Sequence, residues 1–129
     1  MAQFCRNYSF EKEIDRVLDT DSLPDMQPYF MHYTLSVLGK YGLFGEYGFP
    51  ILERYKQLEK ECGLGLKEGW IAPEGYPFDY SHAWGGTPAY QLPLNFLGFK
   101  MVKPGFEEIS LSPCLFGLKS AEISMPTPY

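Results

Sequence analysis

Eight residues between positions 68 and 84 carry groups able to do chemistry: Glu68, Trp70, Glu74, Tyr76, Asp79, Tyr80, His82 and Trp84. They lie in GLGLKEGWIAPEGYPFDYSHAWGG, residues 63–86, where neither a helical nor a strand period holds. A loop of this length inside a compact domain is usually functional or disordered. This one is too aromatic for disorder. Carboxylates mixed with flat rings suit carbohydrate chemistry, because paired carboxylates run glycoside hydrolysis and aromatic faces cover the apolar face of a sugar ring. Plainer readings stand beside that one. Trp70 and Trp84 can be packing residues, His82 a cap near the start of the next helix, and Asp79 the anchor of an Asx turn. His32, in the middle of an earlier helical pattern, reads as a packed or surface histidine. The sequence holds no HExxH, CxxC pair, P-loop or GxSxG. Metal, nucleotide and serine-hydrolase readings therefore have no support, and no metal or cofactor is expected.

The bulk composition narrows the classes further. The chain has 129 residues, with 11 Lys and Arg against 16 Asp and Glu. Phosphate binding needs a basic stripe, so an acidic chain argues against nucleic acid. No apolar run approaches the ~20 residues needed to span a bilayer, so no membrane partner is expected. The opening stretch lacks a basic region followed by an apolar one, and no signal peptide is expected. Cys5, Cys62 and Cys114 are too few and too far apart for a disulfide framework or a zinc knuckle, and read as free, buried thiols. At this size about two-thirds of the chain's surface can be buried on folding, enough for a real core.

The elements that must position the loop follow from periodicity and punctuation. Residues 1–62 contain 7 Gly and Pro and residues 63–129 contain 17, so long helices belong to the first half. A short acidic helix is expected before Pro24, with Ile14, Val17 and Leu18 on one face. The next helix starts with Pro28 at its first position and ends at Gly42; Phe30, Tyr33, Val37, Leu38 and Tyr41 form its stripe, thickened by Met31 and Leu35. After a Gly-punctuated connection, GLFGEYG, a third runs over residues 50–62 with Ile51, Leu52, Tyr55, Leu58 and Cys62 on one face and Gly63 as its left-handed stop. These two should pair as an antiparallel hairpin. Thr87 is expected to cap a last helix, with Pro88 first, Gly98 after it and Pro93 kinking or shortening it. Beyond Pro104 the period shortens, and two strands are expected near 106–111 and 119–125, joined through SPCLFGL. Two strands without a further partner are marginal, which reads as a β domain cut short.

The run DYSHAWGGTPAYQLPLNFLGFKMVKPGFEEISLSP resembles the end of the catalytic domain of bacterial α-L-rhamnosidases, which belong to the six-hairpin glycosidases. The matching pieces are Ser81, His82, Ala83 and Trp84, then Leu97 and Gly98, then Pro104, Gly105 and Phe106, and finally residues 109–113. Upstream, LPDMQPYFMHYTLSVLGKYGLFGEYGFPILERYKQL resembles the family's late barrel hairpin. The resemblance covers roughly residues 23–125.

It implies a fold that is mainly α with a short C-terminal β part: residues 1–103 as a helical hairpin and active-site loop of an (α/α)6 barrel, residues 104–129 as the first strands of a β-sandwich. It implies a fragment of a glycoside hydrolase that removes terminal α-L-rhamnosyl units with inversion, taking a rhamnosyl glycoside as substrate. Glu68 with Trp70 matches the family's Glu-x-Trp core, which makes Glu68 the catalytic base and Glu74 the reserve. Leu64, Gly65 and Leu66 depart from the Thr or Trp that often precede it. His82 would bind sugar hydroxyls, with Trp84 and Trp70 walling the pocket. The family's general acid has no counterpart in this sequence, so the chain by itself should be inactive and should self-associate through its exposed faces. The alternative is a non-catalytic carbohydrate-binding or structural module.

Overall fold

The computed structural model describes residues 10–19, 21, 24–62, 66–71, 79, 81–124 and 126–128. Helix α1 spans Phe10–Leu18, α2 spans Pro28–Tyr41, α3 spans Phe49–Cys62 and α4 spans Thr87–Phe96. Strands β1 (Lys100–Lys103) and β2 (Glu108–Ser110) form a two-stranded antiparallel sheet. The chain is thus mainly helical with a short β part. Among the described residues no helix is long and apolar enough to cross a membrane.

Local chemistry accounts for the ends of α2. Pro28 needs no amide partner at the first turn, while the Gln27 carbonyl accepts from Phe30 and Met31. At the other end Gly42 takes φ 75° and donates to Gly39, and Leu43 donates back to Leu38 at 2.8 Å. That is a Schellman motif, with Leu43 and Leu38 supplying its apolar contact. The following residues are not a loose connection: Phe44–Gly48 wind into a single π-helical turn that runs straight into α3. The turn buries Phe44 fully, against Phe96 and Phe116 at ring distances of 5.7 and 5.5 Å.

The middle of α3 is tied to the start of α2 by the chain's own polar groups. Tyr55 of α3 donates its hydroxyl to the Pro28 carbonyl at the start of α2, at 2.9 Å. Burial pushes that hydroxyl up to about 12, above the opposing pull of Thr87 and Arg54, so it stays a donor. Met31, Leu35 and Leu38 of α2 share one core with Phe44, Ile51, Tyr55 and Phe96. The stripe expected on α2 is therefore corrected. Met31, Leu35 and Leu38 are buried, whereas Phe30, Tyr33, Val37 and Tyr41 are exposed, because α3 and α4 both pack on the opposite face.

Helix α4 lies against α2 through a buried polar seam. Gln91, 1% exposed, donates to the His32 carbonyl, the Ser36 hydroxyl and the Tyr90 hydroxyl, and its own carbonyl oxygen accepts from Asn95. Gly39 faces Asn95 so closely that a β-carbon there would strike the amide oxygen, with the amide carbon only 3.0 Å away. Ala in place of Gly inside a helix ordinarily stabilises by roughly 1 kcal/mol. Here Asn95 cannot swing aside without leaving Gln91, to which it donates at 2.8 and 3.1 Å. Gly39→Ala is therefore expected to destabilise the fold by about 1–3 kcal/mol in urea unfolding. Unchanged stability would mean that α4 slides away freely.

Thr87 is the first residue of α4 rather than its cap, and its hydroxyl donates to the Trp84 carbonyl at 3.1 Å across the preceding 3-10 turn, Ala83–Gly86. The helix runs through Pro93 to Phe96. The β expectation also needs correction. The hairpin pairs Lys100 with Ser110 and Met101 with Ile109, and turns on Pro104–Phe106. Gly105 there adopts φ 69°. Residues 119–124 form no strand despite their alternation, and Met125 lies outside the described residues. After β2 the chain is tied back instead, as Ser112 donates to Leu97 and Cys114 to Phe96. Phe116 then packs over Gly45 and Phe96. Cys114 is exposed, contrary to the buried thiol expected; Cys5 and the side chain of Cys62 lie outside the described residues, as does the Gly63 stop.

Candidate functional site

Residues 66–68 run beside Asp79 and His82. The His82 amide donates to the Leu66 carbonyl at 2.8 Å and the Glu68 amide to the Asp79 carbonyl at 3.0 Å. Fourteen positions apart in sequence, Glu68 and His82 thus sit on two adjacent stretches of backbone. Gly85 completes the clamp: it is buried, and a β-carbon there would collide with the Leu66 side chain. Only glycine lets the turn after Trp84 close on the Glu68 segment.

Two of the plainer local readings hold at this clamp. Asp79 forms an Asx turn, its Oδ1 accepting from the Ser81 amide at 3.1 Å. His82 caps the 3-10 turn, its Nδ1 accepting from the Trp84 amide at 3.2 Å. A neutral His82 that accepts at Nδ1 carries its proton on Nε2, so the ring can still donate one hydrogen bond outward. Capping and ligand binding use different nitrogens and do not compete.

Glu68 is half-buried, and among the described residues its carboxylate has no hydrogen-bond or ion-pair partner. Its neighbour Lys67 points elsewhere, to Glu61 Oε2 at 2.8 Å. That hydrogen bond, with a second from Gln57, holds the Glu61 carboxyl below its ordinary value. Lys67 is therefore engaged away from Glu68. Glu74, Tyr76 and Tyr80 lie outside the described residues.

The two tryptophans part company. Trp70 donates its indole N–H to the Met26 carbonyl at 2.6 Å, and its backbone amide to Gln27 Oε1 at 3.1 Å. Its ring stands edge-on to Tyr55 at 4.9 Å and beneath the Arg54 guanidinium at 4.3 Å. Arg54 in turn grips Asp25 with two hydrogen bonds of 2.9 and 2.5 Å. Trp70 thus ties the loop to the start of α2. Trp84 faces the other way, its ring 4.2 Å from that of His82 and 4.8 Å from that of Tyr29, and it makes no ring contact with Trp70.

From Trp84 the aromatic surface continues along α2, where no functional residue was expected. Tyr29 meets Phe30 and Tyr33 edge-on at 5.4 and 5.7 Å, His32 meets Tyr33 at 4.7 Å, and Tyr90 hydrogen-bonds the His32 ring. Tyr29, Phe30, Tyr33, Trp84 and Tyr90 are all between 37% and 55% exposed. The signal was present in the spacing: Tyr29, Tyr33 and Val37 lie four apart, a second apolar face beside the buried one. Among the described residues no cluster of three or more His, Cys, Asp or Glu could hold a metal ion. In comparisons with known proteins, no family model, no curated protein and no solved structure matches the chain.

Proposed function

We propose that this chain supplies the general-base loop and part of the sugar subsite of a glycoside hydrolase resembling the α-L-rhamnosidases. The observation that carries the reading is the backbone clamp, which sets the Glu68 segment against the His82 motif through the bonds to Asp79 and Leu66. In this reading α2 and α3 are one hairpin of an (α/α)6 barrel and the β1–β2 hairpin belongs to a β domain that follows it. The Glu68 carboxylate takes a proton from a water held on the face of the sugar opposite the leaving group. The water's oxygen attacks the anomeric carbon as the glycosidic bond breaks, with inversion. A second carboxyl group, ~6.5–9.5 Å away, protonates the departing oxygen. That acid belongs to the remainder of the parent enzyme, so the isolated chain does not hydrolyse glycosides.

His82, capped inward and donating from Nε2, holds a sugar hydroxyl against the Trp84 ring. In the hydrolase that contains this chain, His82→Ala is expected to raise KM for an aryl α-L-rhamnoside about tenfold, through loss of one buried hydrogen bond, while kcat changes less. Absence of rhamnosidase activity in that hydrolase, with sugar binding intact, would favour a non-catalytic carbohydrate-binding module instead.

The same reading carries self-association of the isolated chain. Both strands of the hairpin are exposed along their length, with Met101, Val102, Ile109 and Leu111 between 44% and 50% accessible. Open strand edges beside apolar side chains pair readily with further copies. Sedimentation velocity is expected to give dimers or larger species whose proportion grows with concentration. A monomer at every concentration would count against it.

A further inference from the structure

Tyr29 and Tyr33, one turn apart on α2, place their hydroxyl oxygens 3.2 Å from each other on the exposed side of the helix. The ring planes are 85° apart, so together they form a corner, and Trp84 leans on the Tyr29 side of it at 40°. Among the described residues no cation sits over any of these three rings; the two cation–aromatic contacts are at Tyr41 and Trp70. The corner is neutral in a chain whose formal charge is −5. Its rings end in groups that both donate and accept hydrogen bonds. The hydrogen bond with Tyr29 raises Tyr33 above the ordinary tyrosine value, so its hydroxyl keeps its proton near neutral pH.

These features specify a ligand. An apolar peptide or a lipid tail has no use for paired hydroxyls, and among the described residues no cation lies over these rings to draw an anion. Two hydroxyl groups about 3 Å apart match the spacing of neighbouring hydroxyls on a pyranose, and a flat ring beside them covers the sugar's C–H face. We propose that Tyr29, Tyr33 and Trp84 form a binding surface for a neutral pyranose ring, in which the Tyr29–Tyr33 hydroxyl pair reads two adjacent sugar hydroxyls. The surface adjoins His82 through Trp84, so it extends the sugar subsite along α2; in that respect it rests on the hydrolase reading. Tyr29 and Tyr33 then determine specificity without taking part in the chemistry. They select a sugar whose adjacent hydroxyls lie on the side that faces the pair.

The test is a titration of the 129-residue chain with methyl α-L-rhamnoside, followed by amide and aromatic NMR shifts. Methyl α-D-glucoside and a proline-rich peptide serve as comparison probes. Tyr33→Phe keeps the ring and removes one hydroxyl, and should weaken rhamnoside binding roughly threefold to tenfold. Tyr29→Ala removes the stacking ring as well and should weaken it by more than about tenfold. Both residues are exposed, and unchanged NMR shifts in the core would show that each variant is folded. Unchanged affinity in both tyrosine variants, with the rhamnoside still bound, overturns this proposal and leaves the hydrolase reading standing. Tyrosine-dependent binding of the glucoside alone supports the surface and removes rhamnose from the hydrolase reading. Binding of the peptide but of neither sugar overturns the proposal.

Discussion

If the proposed hydrolase reading holds, Glu68→Gln should lower kcat of the parent enzyme for an aryl α-L-rhamnoside by at least about a hundredfold, with substrate affinity largely kept. A positioned general base contributes typically 10²–10⁴-fold, and an amide of the same size cannot accept the proton that water must lose. The fold gives no reason for a larger structural effect. Glu68 is half-buried, its carboxylate has no partner among the described residues, and its backbone is fixed through its amide on Asp79. Gln keeps that amide and nearly the same volume. A fall in kcat and kcat/KM together is the signature of a group used only in the transition state. Circular dichroism of the variant should match the parent's. Glu74→Gln is the comparison: near-full turnover in Glu68→Gln with loss in Glu74→Gln would move the base to Glu74.

What could be read from sequence, and what could not, divides along the line between local and distant causes. Pro28 and Gly42 bracket α2 because a ring and a missing side chain act on their own backbone, whatever surrounds them. The Asp79 turn and the His82 cap are equally local, spanning two residues each. The face α2 buries is a different matter. Two apolar stripes run along it, and only the positions of α3 and α4 decide that Met31, Leu35 and Leu38 are covered while Tyr29, Tyr33 and Val37 are not.

The β part misled for a related reason. Residues 119–124 alternate as a strand should, but alternation supplies a period and no partner. The pairing goes instead to Lys100–Lys103, which alternates poorly yet lies across the Pro104–Gly105 turn from Glu108–Ser110. Trp70 was legible as an aromatic in the stretch 63–86, where no period holds. Its attachment to Met26 and Gln27, 44 and 43 residues away, depends on how the loop crosses the start of α2. Of the candidate site, Glu68 and His82 could be read as members of one aromatic stretch, whereas the tyrosine surface beyond Trp84 exists only once α2 and the 3-10 turn are brought together.

The connection between α2 and α3 supplies the sharpest test of the fold itself, because GLFGEYG has the composition of a solvent-facing loop. Phe44 within it is fully buried. Its ring is ringed by Phe96 edge-on at 5.7 Å, by Phe116 at 5.5 Å and by the backbone at Gly48, where even a β-carbon would approach to 3.0 Å. Three segments therefore meet on one side chain: the π-helical turn itself, the end of α4, and the segment returning after β2. Phe44→Ala removes the ring and leaves a cavity whose walls belong to different elements and cannot all collapse inward. The expected loss is about 3–5 kcal/mol, a large share of the stability of order 10 kcal/mol available to a chain of this size. In thermal unfolding that is a drop of roughly 10–20 °C. Phe30→Ala, at a position 55% exposed on α2, should change stability by no more than about 0.5 kcal/mol. If the two alanine variants unfold together, Phe44 is in solvent, the π-helical turn is not formed, and α3 does not follow α2 in the way described.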